Sequence, residues 1–154
     1  MDDEILILRD PRESAAKCSL TPLRGKPGIR FVPFHRERQL EAGGRIFLDP
    51  GGELLQASDW ELAPAGLLLI DCSWRRVGKL LKTVQGELLP RRLPELLTAY
   101  PRKSKTFEDP SAGLASVEAL YAAMALLGRP RPDLLEAYHW RERFLELNPG
   151  LPRA

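Results

Sequence analysis

The sequence has little with which to staple itself or to grip a metal. Its 154 residues include two cysteines, Cys18 and Cys72, and two histidines, His35 and His139. Two thiols are too few for the disulfide framework of a small secreted domain, and their separation lacks zinc-ligand spacing. A reducing cytoplasm fits this usage, and no metal is expected. There is no G-x-G-x-x-G, no G-x-x-x-x-G-K-[ST], no H-E-x-x-H and no paired-carboxylate glycosidase pattern. Dinucleotide enzymes, P-loop enzymes and zincins are therefore poorly supported. The opening MDDEILILRD has no basic n-region and only a short apolar run, so it reads as neither a signal peptide nor a membrane span. Internal repeats and low-complexity tracts are also missing.

What is present suits a single globular domain, since a chain of this length can bury a core without disulfides or metal. The formal net charge of +2 makes no case for nucleic acid by itself. Its distribution does. Between Arg75 and Lys105 nine cations (Arg75, Arg76, Lys79, Lys82, Arg91, Arg92, Arg102, Lys103 and Lys105) face only Glu87 and Glu95, and the remainder of the chain is net acidic. Trp74 and Tyr100 are interleaved with this segment, so its aromatics can stack on unpaired bases while the cations hold phosphates. Solvated helix faces are the plain alternative.

Pattern and punctuation predict alternating strands and helices. Glu4 to Leu8 reads as an opening strand, and the Pro-, Gly- and Ser-rich DPRESAAKCSLTPLRGKPG as a long connection with one helical turn. Arg45 to Leu48 is a second strand, ended by Asp49, Pro50, Gly51 and Gly52. Ser58 then caps a short helix through Leu62. Leu67 to Asp71 is a third strand, Trp74 to Thr83 a helix, Leu88 to Leu93 an extended piece, and Pro94 to Tyr100 a helix opened by proline. The clearest helix runs from Leu114 to Leu127, with Val117, Leu120, Tyr121, Met124 and Leu127 on its buried stripe and Gly128 as its stop. A last helix spans Pro132 to Leu147. The class is α/β with a mainly parallel sheet.

The stretch LLLIDCSW, Leu67 to Trp74, carries the most chemistry. A solid apolar run after Pro64 and Gly66 reads as a strand buried on both faces. It stops at Asp71, Cys72 and Ser73, and in open α/β sheets ligands sit beyond such carboxyl ends. Asp71 has two readings: a carboxylate that binds a ligand or takes a proton, or a cap, with Ser73, for the helix that follows. Cys72 lacks a histidine nearby and reads as a small core residue. His35, beside Arg36 and Arg38, reads as a solvated loop residue, and His139, beside Trp140, as a helix-surface or packing residue.

Taken in order, IDCSW, RRLPELLTAYP, LASVEALYAA and HWRERFLELN resemble the segments DCSW, RLLPxLVAANP, LSxxEAxAA and FxWGxxFLxLN of the ribosomal RNA aminocarboxypropyltransferases of archaea and eukaryotes. The opening DP…KCS (Asp10, Pro11, Lys17, Cys18, Ser19) is similar to that family's DPKKCT, and Phe47–Pro50 (FLDP) to its LSP. The resemblance covers most of the chain. It departs at Tyr100, where the family has asparagine, at Ala115, where it has serine or threonine with Ser116 here one place later, and in longer stretches at 102–113 and 11–17.

The resemblance implies a single SPOUT-like domain over residues 1–154, with 1–64 as its N-terminal part and 65–154 as a cofactor-binding part threaded into a trefoil knot. It implies transfer of the 3-amino-3-carboxypropyl group of S-adenosylmethionine to a modified uridine of small-subunit rRNA, leaving methylthioadenosine. By position, Ser19 would hold the cofactor carboxylate. Leu48, Leu93 and the backbone from Ala112 to Leu114, with Ser116 beside it, would frame the adenine. The carbonyl of Ile70 would take the ribose hydroxyls, and Trp74 would wall off the methyl. Asp71 would position the cofactor or accept the imide proton. RNA would lie on Arg75, Arg76, Lys79, Arg91, Arg92, Arg102 and Lys103. A monomer acting on RNA in the cytoplasm, without a membrane partner, is the expectation. The alternatives are a SPOUT-like methyltransferase that exposes the methyl, and a non-catalytic RNA-binding assembly protein.

Overall fold

The run Leu67–Ile70 becomes the middle of a parallel sheet in the computed structural model, which describes residues 4–12, 18–101 and 114–153. Its strands are β1 (Ile5–Arg9), β2 (Ile29–Pro33), β3 (Leu40–Glu41), β4 (Arg45–Leu54), β5 (Gly66–Asp71), β6 (Val84–Gln85) and β7 (Leu88–Arg92). Five of them form one sheet in the order β2-β1-β5-β4-β7, all parallel, and β3 pairs with β6 in a separate parallel ribbon. The mixed α/β class with a mainly parallel sheet is as the alternation predicts.

Both faces of the sheet are covered, which explains why β1 and β5 read as unbroken apolar runs rather than alternating ones. Ile5, Ile7, Ile46, Leu67 and Leu69 pack with Val117, Leu120, Tyr121 and Met124 of α3 (Ser116–Leu126) and with Phe144 of α4 (Arg141–Leu147). Leu6, Leu8, Phe47 and Leu68 point the other way, onto Phe34, Leu40 and Leu80 of α2 (Val77–Leu81). Helix α1 (Asp59–Leu62) is a single turn between β4 and β5. The predicted core stripe of α3 is buried throughout, and Gly128 ends the helix at φ 81°. Gly66 has the most restrictive setting of any glycine among the described residues. At φ 110° it lies so close to Glu4 that a Cβ would sit 2.1 Å from the Glu4 carbonyl oxygen, which lets β5 start flush against β1.

Several predicted elements change. β2 has no counterpart among the predicted elements, because Ile29–Pro33 is a short edge strand ending in proline. β4 runs on to Leu54, because the Asp49–Gly52 turn bulges out and the strand then rejoins β7: Leu48 and Glu53 both pair with Arg91. Ser58 makes no side-chain cap bond; instead the Asp59 carboxylate accepts the Gln56 amide at 2.8 Å. Trp74–Arg76 is a 3-10 turn leading into α2, so the predicted helix is shorter and tighter at its start. Pro94 to Tyr100 is not helical. Its amides are taken by distant side chains, Leu97 N–H by Asn148 Oδ1 at 2.8 Å and Ala99 N–H by Glu118 Oε2 at 2.9 Å. The last predicted helix is split into a 3-10 turn, Pro132–Leu135, and α4, with Tyr138 between them donating its hydroxyl to Glu118 at 2.9 Å.

Candidate active site

Strand pairing opens the site. β4 pairs with β5 only as far as Phe47 with Leu68, whereas β1 stays paired with β5 to its end, Arg9 with Asp71. Beyond Leu68 the two strands part, and the bulge of β4 forms one lip of the gap. The bulge requires Gly52, where a Cβ would lie 2.7 Å from the backbone of Pro90 and Arg91. Asp49 shapes the turn by accepting the Gly51 amide at 2.9 Å. A cleft of about 640 Å³ results, the size of a small-molecule site.

The cleft gathers Leu48, Ile70, Trp74, Leu93, Leu114 and Ser116 from four separated segments. Asp49, Pro50, Leu69, Cys72, Arg91, Arg92 and Glu95 also line it. Cys72 is thus half-buried at the cleft wall rather than enclosed in the core, although it packs on the α2 side of the sheet. Trp74 is 38% exposed, with the Arg75 guanidinium 5.5 Å from its ring. Ala112 lies outside the described residues.

Ser19 and Asp71 are not among the residues that line this cleft; both lie on the α3 side of the sheet, Asp71 between the lining residues Ile70 and Cys72 and Ser19 bonded to Val117 beside Ser116. Ser19 Oγ accepts the Val117 amide at 3.1 Å, so it caps α3 from 98 positions away where Ala115, at the N-cap, has no oxygen to offer. Asp71 is 5% exposed and caps no helix. Its Oδ2 accepts Arg9 Nε at 3.1 Å and the Cys18 thiol at 3.2 Å, and Arg9 Nη2 donates to Cys18 Sγ at 3.2 Å. Burial, and then the adjoining Asp71 carboxylate, push the Cys18 thiol up, so it stays protonated and able to donate.

The predicted RNA-facing cations divide into two groups. Arg76 is ion-paired with the fully buried Asp10, and Arg91 Nε with buried Asp59 at 3.0 Å. These two guanidinium groups anchor the loops that frame the cleft, β1 to α2 and α1 to β7. Arg75, Lys79 and Arg92 are exposed. Arg102 and Lys103 lie outside the described residues. His35 is exposed, its Nδ1 accepting the Glu37 amide at 3.1 Å, and His139 stacks edge-on against Trp140 at 4.5 Å. Among the described residues no cluster of His, Cys, Asp and Glu is arranged to hold a metal, and no helix is long and apolar enough to cross a membrane.

Residues 46–152 match the family described as ribosome biogenesis protein, C-terminal. A 16S rRNA aminocarboxypropyltransferase of Vulcanisaeta distributa is 36% identical over 155 residues, which spans 96% of this chain and 79% of that protein. One of Halobacterium salinarum is 35% identical over 153 residues, spanning 94% and 82%. The chain belongs to the ribosomal RNA aminocarboxypropyltransferase family. The solved SAM-dependent rRNA acp-transferase of Vulcanisaeta distributa superposes on it with a TM-score of 0.73 at 30% identity, over 97% of this chain and 80% of that one.

Four residues of this family member that build the site carried no role in the sequence: Arg9, Cys18, Glu118 and Asn148. Glu118 left a trace, since a glutamate three residues into an apolar helix is the reciprocal half of a capping box, and it does accept the Ala115 amide at 2.9 Å. Cys18 and Asn148 fall inside the matched motifs KCS and HWRERFLELN without showing what they bond, and Arg9 left no trace, because Asp71 and Leu97, the partners of these residues, lie 51 to 62 positions away.

Proposed function

We propose that this protein transfers the 3-amino-3-carboxypropyl group of S-adenosylmethionine to a uridine nitrogen in small-subunit rRNA. The observation that carries the reading is the convergence of Leu48, Ile70, Trp74, Leu93, Leu114 and Ser116 on one cleft at the carboxyl ends of parallel strands, in a chain that matches named aminocarboxypropyltransferases over almost its whole length. The residues fit the co-substrate. Apolar side chains from β4, β5 and the 93–114 region suit the flat faces of an adenine, and a strand-end carbonyl suits ribose hydroxyls.

The co-substrate's sulfonium has three electrophilic carbons, and attack at the side-chain carbon breaks its bond to sulfur, the electron pair staying on sulfur as methylthioadenosine leaves. Selecting that carbon is a matter of orientation, which the walls of the cleft impose. Leu48, Leu93 and Leu114 frame the base, with Ala112 and Ser116 contributing alongside, and Ile70 receives the ribose. Trp74 shields the methyl. Ser19, its oxygen already accepting from α3, retains a hydroxyl hydrogen for the carboxylate. Asp71, with Oδ2 occupied by two donors, presents Oδ1 to the reacting end, where it orients the cation or takes the imide proton. Arg75, Lys79 and Arg92, continued by Arg102 and Lys103, hold the RNA backbone, while Arg76 and Arg91 act by anchoring this surface.

In the same reading residues 65–154 form the cofactor-binding part of one domain and are threaded as a SPOUT-like trefoil knot. The clasping of Leu97–Ala99 by Asn148 and Glu118 supports this, because it ties the segment after β7 to the C-terminal helices. The protein acts as a monomer in the cytoplasm, a setting that suits two cysteines neither of which is in a disulfide. The decisive test is product analysis. With S-adenosylmethionine and small-subunit rRNA the expected products are methylthioadenosine and RNA heavier by one aminocarboxypropyl group; S-adenosylhomocysteine and methylated RNA would overturn the assignment.

A further inference from the structure

The loop between β2 and β3, residues 35–39, is strapped along α2 at both of its ends. At its start Phe34 is turned into the core, in one cluster with Val77 and Leu80 of α2, and the Arg76 guanidinium lies 6.0 Å from the centre of its ring. At its end the Leu40 amide donates to the Thr83 carbonyl at 2.8 Å, and Leu40 pairs with Val84 just beyond the helix. The loop therefore runs the length of α2, although the two are far apart in sequence. Its own bonds fix its shape. The Arg38 amide donates to the His35 carbonyl at 2.9 Å, the Glu37 amide to His35 Nδ1 at 3.1 Å, and Arg38 Nη1 to the Pro33 carbonyl at 3.1 Å.

This strapping gathers charge of one sign. Arg75, Lys79 and Lys82 recur at helical spacing and are exposed, while Val77 and Leu81 line the cleft and Leu80 is in the core. Arg36 and Arg38 lie alongside, with Glu37 the single acid of the loop. Arg36, Arg38, Lys79 and Lys82 are all exposed, and none forms an ion pair with a described acid. Cations on the α3 side are answered instead: Lys26 by Glu136 at 3.1 Å, Arg129 by Glu4 at 3.5 Å and Arg131 by Asp133 at 2.7 Å.

The resulting ridge leads away from the cleft. β2 lies two strands from β5, about 10 Å at the spacing of a sheet, so contact with Arg36 and Arg38 takes RNA beyond the nucleotide at the cleft mouth. No Phe, Tyr or Trp is exposed along the ridge, for Phe34 is buried and Trp74 stands at the cleft end. Proteins that hold single strands combine cations with stacking platforms, whereas cations alone match phosphates whose bases are already paired with one another. We propose that Arg36 and Arg38, with Lys79 and Lys82, bind the backbone of a base-paired RNA stem that adjoins the target nucleotide. The inference rests on the transfer reading above and extends its RNA contacts to a loop that had no role in it. The stem seats on α2, and the unpaired nucleotide beside it enters past Trp74.

Fluorescence anisotropy on the full chain tests this with two labelled RNAs, a hairpin whose loop carries uridine and an unpaired oligouridine. Wild-type protein is expected to prefer the hairpin. Arg36→Gln combined with Arg38→Gln should bind the hairpin about 10-fold or more weakly and lower the slope of log K against log salt by about 2, close to 0.9 for each phosphate contact removed. Oligouridine should lose less than the hairpin does, and S-adenosylmethionine should bind as to wild type, which shows that the fold is intact. Arg141→Gln with Arg143→Gln, which removes two exposed cations of α4, is expected to leave the hairpin slope as it was. A loop variant with the wild-type hairpin affinity and slope overturns the proposal. So does wild-type protein that holds oligouridine as tightly as the hairpin, or an α4 variant that lowers the slope as much as the loop variant. If the hairpin results hold and rRNA with S-adenosylmethionine yields no methylthioadenosine, the transfer reading alone is overturned.

Discussion

Replacing Glu118 tests how the cleft is held together. The side chain is fully buried on α3 and accepts four hydrogen bonds: Thr98 Oγ1 at 2.6 Å, Ala99 N–H at 2.9 Å, Ala115 N–H at 2.9 Å and Tyr138 Oη at 2.9 Å. Four donors converging on one group call for a carboxylate. In Glu118→Gln one oxygen becomes an NH₂. Whichever way the amide is turned, it meets one hydroxyl, which can rotate and accept, and one backbone N–H, which cannot. One orphaned amide and the loss of charge assistance on the rest amount to about 2–4 kcal/mol. At about 2–4 °C per kcal/mol for a domain of this size, the melting temperature should fall by roughly 4–16 °C. Glu118→Ala strands all four donors, a cost of about 4 kcal/mol or more against a total stability of about 5–15 kcal/mol, so it should fold poorly or not at all. Urea titration and thermal circular dichroism measure both, and amide exchange should quicken first at Ala99 and Ala115. If Glu118→Gln melts within about 1 °C of wild type, the four-donor clasp does not hold the 97–100 segment and the reasoning fails.

Two further perturbations probe the frame of the site. Burial alone would push the Asp10 carboxyl up, but the hydrogen bond from Arg76, the Arg12 amide and both guanidinium charges outweigh it and hold the group below its ordinary value of 3.8. A depressed carboxylate contributes stability that is complete above about pH 3.8 and is lost as the pH falls through the lower folded value. Arg76→Ala should therefore cost about 3–5 kcal/mol at neutral pH, by stranding a buried charge, and the gap to wild type should shrink below pH 4; a gap constant from pH 7 to pH 3 in urea denaturation contradicts this. At the β4 bulge, Gly52→Ala places a methyl 2.7 Å from the Pro90 and Arg91 backbone and should cost about 1–3 kcal/mol while weakening S-adenosylmethionine binding. Gly51→Ala, whose Cβ meets only Asp49 Oδ1 at 3.5 Å, should bind as wild type does, and equal behaviour of the two variants counts against the bulge as a lip of the cleft.

Local signals in the chain were enough to locate β1, β5 and α3, because each owes its form to its own residues: apolar runs for strands buried on both faces, a 3.6-residue stripe for the helix. The same signals misread Pro94–Tyr100 as a helix. A proline start and good helix formers describe that segment correctly in isolation, but Asn148 and Glu118 take its amides from 51 and 19 positions away. They also misread the end of β4, since Asp49-Pro50-Gly51-Gly52 is turn chemistry in any window and only pairing with β7 makes it a bulge inside one strand.

For the site, ordered motifs in the sequence singled out Leu48, Ile70, Trp74, Leu93, Leu114 and Ser116, which the fold then brings to one cleft, and they named Asp71 as the carboxylate beside it. Motif order can do this because residues that meet a common ligand are constrained together although the chain separates them. What the sequence by itself determined was the class of fold, the buried stripe and the address of the cleft. Only the tertiary structure decided what each charge there is doing. Arg76 and Arg91 are spent on buried carboxylates, Ser19 caps a helix 98 residues away, and Arg9 pairs with Asp71 while keeping one donor unused. The reason is physical: an apolar residue's burial follows from its neighbours along the chain, whereas a charged group's role is set by whichever partner the fold carries to within about 3 Å of it.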